Sequence, residues 1–172
     1  SLKYQGKTEE AYDSFYKACW NAAWQDAGYY SLAQLSAARG DWEEALDEID
    51  KSLLRNWHNL RGRHLKAAIL RHLGRKEEAL SLIEESLRID RFNFGCGFEK
   101  FLLTGSDADW QALVSLMRPE AHNYEELALD YASAGCWEEA LAVADKAIRL
   151  NVSGQTMLHY YKSWFLIRLD RK

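Results

Sequence analysis

A short cassette returns at a fixed interval along this chain, and that interval limits the fold more than any other feature. Gly6-Lys7-Thr8-Glu9-Glu10-Ala11 recurs as Gly40-Asp41-Trp42-Glu43-Glu44-Ala45, as Gly74-Arg75-Lys76-Glu77-Glu78-Ala79 and as Gly135-Cys136-Trp137-Glu138-Glu139-Ala140. The first two intervals are 34 residues each. A period of about 20–50 residues marks a stacked repeat, in which each unit buries its apolar face only against its neighbours.

Within each period the apolar spacing is helical. Tyr29, Leu32, Ala33 and Ser36 fall at i, i+3, i+4 and i+7, and Trp42, Ala45, Leu46, Ile49 and Leu53 continue the pattern after Gly40. The next period repeats it on either side of Gly74, with Leu65, Ala68, Ile69 and Leu73 before and Ala79, Leu80, Ile83 and Leu87 after. The glycine suits the left-handed residue that ends one helix, and the glutamate pair suits the positive first turn of the next. Each unit is therefore an antiparallel hairpin of helices A and B, and the chain is all-α. No alternation of strand type runs for a useful length.

These residues resemble the tetratricopeptide repeat (TPR) family. Ala33, Gly40, Trp42 and Ala45 stand at its small, turn, aromatic and helix-B alanine positions. Ala128, Gly135, Trp137 and Ala140 do so again, after Tyr124, Leu127 and Tyr131. The proline that usually closes each TPR is replaced by Trp57 and Arg91. The resemblance implies a right-handed superhelix whose A helices line a concave groove for extended peptides. It spans residues 1–172 as one domain: a partial unit at about 1–25, units at 26–59 and 60–93, a degenerate unit at 94–120, a unit at 121–154 and a capping helix at 155–172.

The interval from Gly74 to Gly135 is 61 residues, seven short of two periods. Gly105 divides it, so each of the two spacings is short by about one helical turn and the same faces still point inward. The spacing predicts a shortened helix A over Phe94–Thr104, a shortened helix B over Asp107–Met117, and Pro119 at the first position of the next helix. Gly95-Cys96-Gly97 lowers helix propensity, which predicts a kink or a change of curvature nearby.

The ends read as parts of repeats. Residues 1–5 form only the tail of a helix A, and 155–170 form an apolar-striped helix with no partner after it, as in a fragment of a longer chain. Phe15-Tyr16-Lys17-Ala18, Trp20-Asn21-Ala22-Ala23-Trp24 and Asn59-Leu60-Arg61 also resemble the C-terminal TPR region of certain large bacterial proteins. That resemblance implies an N-terminal domain of unknown function with a carbohydrate-enzyme-like β-sandwich. It makes a positioning role within such a protein the alternative to partner binding.

Charge narrows the partner. Net charge is −4, which disfavours a general nucleic-acid binder. Yet Lys51 to Lys76 holds eight basic residues and no acid, directly after six acids between Asp41 and Asp50. Pairing between neighbouring helices accounts for such a pattern, and so does a basic groove. Carrying over the family's groove positions gives Tyr30, Gln34, Arg61, His64, Arg71, His72, Phe98 and Glu99 as the candidate site, for an acidic peptide, a partner protein or the chain's own missing domain. Self-association through the truncated first repeat is a further expectation. The Lys and Asn of chaperone-tail clamps are absent, Tyr30, Gln34, His64 and Ala68 standing in their places.

No enzyme, cofactor or metal is expected. His64 and His72 lie about 12 Å apart along a helix, too far to share an ion. The first-turn glutamates feel a helix dipole that lowers their pKa, the wrong direction for a general acid. Cys19, Cys96 and Cys136 are odd in number and lack CxxC spacing, so free thiols in a cytoplasmic, reducing setting are the plain reading, with Cys96 the accessible one. Most aromatics read as core packing, with Trp20, Trp24, Trp57 and Tyr30 the ones expected to form an exposed patch near a groove end. The chain lacks an apolar run long enough for a membrane span.

Overall fold

In a computed structural model, residues 2–171 are described, and they form ten α-helices. These are α1 (Thr8–Ala18), α2 (Gln25–Arg39), α3 (Trp42–Arg55), α4 (Leu60–His72), α5 (Lys76–Ile89), α6 (Phe94–Thr104), α7 (Asp107–Met117), α8 (Ala121–Ser133), α9 (Trp137–Arg149) and α10 (Thr156–Arg168). Helices α6 and α7 occupy the residues that the shortened spacing predicts. The cassette glycines end the A helices as expected. At the α4 end Gly74 has φ 73°, and the Gly74 and Arg75 amides donate to the carbonyls of Arg71 and Leu70.

Alanines sit where helices cross. Ala33, Ala45, Ala67 and Ala79 are fully buried, with Leu32, Ile49, Leu53, Ile69 and Ile83 filling the space between backbones. By this packing α1 to α7 form a first stack in which each helix rests on its neighbours in sequence.

The next unit departs from that order. Among the described residues α8 does not stack closely on α7; it pairs with α9, and α10 packs on both. This second stack turns back across α2, α4 and α6, the A helices of the first. The α8–α9 turn reaches α2 so closely that a Cβ on Gly135 would lie 2.6 Å from Ala38 Cα. Lys146 of α9 lies 4.4 Å from the ring centroids of both Phe101 and Trp110 on α6 and α7.

Two local expectations need correction. Pro119 is not the first residue of α8: Glu120 is its N-cap, and the Pro119 carbonyl instead accepts the amide and hydroxyl of Ser153 at 2.9 and 3.0 Å. The glycines around Cys96 do not kink α6, which runs unbroken from Phe94 to Thr104. They serve close approach, since a Cβ on Gly95 would meet His64 Cγ at 2.2 Å and one on Gly97 would meet Leu113 at 3.0 Å. The change of direction falls at Arg118, whose φ of 61° lies in the left-handed region.

Candidate functional site

The A-helix face carries all eight groove residues, and α8 and α9 cover most of it. Its centre is an ion-pair network. Arg71 donates to Glu99 through Nε at 2.7 Å and Nη2 at 3.2 Å, and through Nη2 to Glu139 of α9 at 2.7 Å. The Tyr131 hydroxyl of α8 donates to Glu99 at 2.6 Å. His72 approaches Glu139 with Nε2 at 3.0 Å and stacks on Trp42 with ring centroids 4.0 Å apart. Burial alone would raise the Glu139 carboxyl, but hydrogen bonds from His72 and Arg71 hold it down at about 2. Phe98 and Glu99, expected in an open groove, are wholly buried, Phe98 against Tyr131 and Trp110.

Towards the start of α4 the face opens. Arg61 pairs with Glu126 at 2.9 Å and Asp130 at 3.6 Å on α8. His64 is buried beneath the Tyr131 ring at 4.6 Å, and its Nε2 has no hydrogen-bond partner. Burial lowers its pKa to about 4, helped by Arg71 and Arg61. Burial likewise raises Asp130 to about 6 against the pull of Arg61. A cleft of about 260 Å³ remains here, bounded by Leu60, Phe92, Phe94, His122 and Glu126. Gln34 and Tyr30 are tied to each other at 3.1 Å, and Lys3 bridges Gln34 Oε1 to the Ser133 carbonyl.

The basic run pairs within the chain, over short and long range. Lys66 pairs with Asp50 of the preceding helix B at 2.7 Å, and the buried Arg63 pairs with Glu85 of its own helix B at 3.1 Å. Arg61 and Arg71 instead reach the second stack.

Sequence spacing did not anticipate that His72, Cys136 and Glu139 place ligand atoms within 4.8 Å of one another. The donor set does not fit a metal ion. Glu139 is already engaged by Arg71, whose charge opposes a cation, and burial pushes the Cys136 thiol up, away from the thiolate a metal needs. The expectation of an accessible Cys96 also fails: all three cysteines are buried, and burial pushes Cys96 up to about 12. Trp20, Trp24 and Trp57 are exposed.

The hairpins and their joints give the molecule the TPR fold, an all-α helical repeat. No protein-family profile matches the chain, and no curated protein matches it. Among solved structures it is similar to MamA (13% identity, TM-score 0.62, 87% of this chain and 92% of that one). It is also similar to TTC0263, a thermophilic TPR protein of Thermus thermophilus (20% identity, TM-score 0.61, 96% and 94% covered). A third is YrrB, a TPR protein with an unusual peptide-binding site (19% identity, TM-score 0.58, 94% and 87% covered). At these identities the likeness establishes the fold alone. No helix among the described residues is long and apolar enough to cross a membrane.

Proposed function

We propose that the chain is a protein-interaction scaffold whose partner-binding surface is the A-helix face, with a preference for acidic segments. One observation carries the reading. Arg61, Arg71 and His72 on that face already engage the carboxylates of Glu126, Asp130 and Glu139 in the α8–α9 hairpin, so the surface has the shape and charge to hold an acidic helical segment. The peptide-binding site of the similar YrrB supports the same use of the fold. Tyr30, Gln34 and His64 flank the ion pairs, and the open cleft beside Arg61 is the point of entry. We assign the chain no catalytic step.

A second reading is favoured by the same hairpin. A face that its own chain fills has no need of a foreign ligand, which fits a positioning module of a larger bacterial protein. Affinity capture from lysate of the source organism separates the two. Arg61 is half-exposed, so Arg61→Glu spares the core. A partner retained by the wild type, lost by the variant and released by salt supports the scaffold; identical empty profiles favour the positioning module.

A further inference from the structure

We infer that the second stack, α8 to α10, exchanges between two copies of this chain, each docking on the A-helix face of the other. The pivot is a single residue. Upstream, the Arg118 amide still belongs to α7, donating to the Val114 carbonyl at 3.2 Å. Downstream, Pro119 is fastened to the second stack by the amide and hydroxyl of Ser153. Between these anchors Arg118 has φ 61° and ψ 168°, a combination open almost only to glycine. It also precedes a proline, where an L-residue favours an extended conformation with negative φ. The closed chain therefore strains its one hinge residue, and a straightened hinge relieves that strain. Short strained hinges invite exchange of the segment they carry.

The second stack can move as a body because α8, α9 and α10 pack chiefly on one another. Ala128, Ala140, Ala144, Leu158 and Phe165 are all fully buried, and Trp137 packs on Phe165 and Trp164 of α10. The docking contacts, Arg71 to Glu139, Tyr131 to Glu99 and Arg61 to Glu126, join groups on opposite sides of the hinge. Each forms as well between two chains as within one. Reciprocal exchange closes a two-fold dimer without leaving either face bare.

Arg61 and Glu126 supply the test, since both are half-exposed and their replacement spares the core. Arg61→Glu adds a third carboxylate beside Glu126 and Asp130 within a chain, and Glu126→Arg sets two guanidiniums together. An exchanged heterodimer of the two variants has an opposite-charge pair at both docking faces, whereas every closed monomer and every exchanged homodimer keeps its repulsion. The variants are refolded separately and together at high concentration, then measured by light scattering and native mass spectrometry. We expect severalfold more heterodimer in the mixture than homodimer in either variant alone, the size that two repaired exposed pairs permit. The Arg61→Glu/Glu126→Arg double variant repairs the pair within one chain and should match the wild type. A mixture that stays monomeric overturns the inference. So does a dimer that forms equally in all the samples, since it would use another surface.

Discussion

Gly74 and Gly135 hold the same place in the same cassette, at φ 73° and 74°, yet their surroundings differ completely. A Cβ added to Gly74 meets nothing within 4 Å, whereas one added to Gly135 would sit 2.6 Å from Ala38 Cα. The first glycine only lets a helix end. The second also lets one stack touch another. Packing differs in the same way: alanine and branched aliphatic residues hold the first stack together, while ion pairs and aromatic rings hold the two stacks to each other. One joint is a repeated local motif, and the other is a single fitted interface.

Several substitutions bear on this contrast, and the interface should be the costlier place to disturb. Glu99→Ala leaves Arg71 partly uncompensated in a buried site and should cost about 3–5 kcal/mol in urea unfolding. Lys66→Ala, which breaks an exposed pair inside the first stack, should cost under about 1 kcal/mol. Equal losses would erase the distinction between the two kinds of joint.

Gly135→Ala should cost about 2–4 kcal/mol, combining left-handed strain with the collision against Ala38. Gly74→Ala should cost only the strain, about 1 kcal/mol. Matching melting temperatures for the two variants would show that the close approach to α2 is not sustained. In the opposite direction, Arg118→Gly removes the hinge strain and should stabilise the chain by about 1 kcal/mol, a rise of a few degrees in thermal unfolding.

The smallest effect at neutral pH is a titration across the stacks. His64 on the first stack is depressed to about 4, so its contribution is complete above its ordinary 6.5 and is lost as pH falls through that window. Asp130 on the second stack is raised from 3.8 to about 6, so its contribution grows as pH falls from about 6. The two oppose each other over nearly the same range. Asp130→Asn should therefore lose melting temperature between pH 6.5 and 4 more steeply than the wild type. Parallel pH profiles would separate the two groups.

Much of the helical layout was legible in the residues. The Gly-x-x-Glu-Glu-Ala cassette fixes where helices end and begin, because left-handed glycine and first-turn carboxylates act within a few residues of their own position. Even the shortened helices Phe94–Thr104 and Asp107–Met117 follow from the spacing of Gly74, Gly105 and Gly135. The candidate groove was legible only in part. Family positions bring Tyr30, Gln34, Arg61, His64, Arg71, His72, Phe98 and Glu99 to one face, but nothing in their spacing says that Glu139 and Tyr131 would meet them there. The closest signal was Gly95, where a residue without a side chain inside a helix marks a close neighbour, here His64.

The sequence by itself determined the units: their helices, their joints and the apolar stripes that each must bury. These depend on contacts between residues a few positions apart, and the 34-residue period repeats them. Only the tertiary structure decided how the units are ordered in space. Whether α8 stacks on α7 or folds back over α2, α4 and α6 depends on one backbone angle at Arg118 and on charges far apart in the chain, such as Arg71 and Glu139, 68 residues apart. Such pairs carry no period, so the chain must fold before they meet.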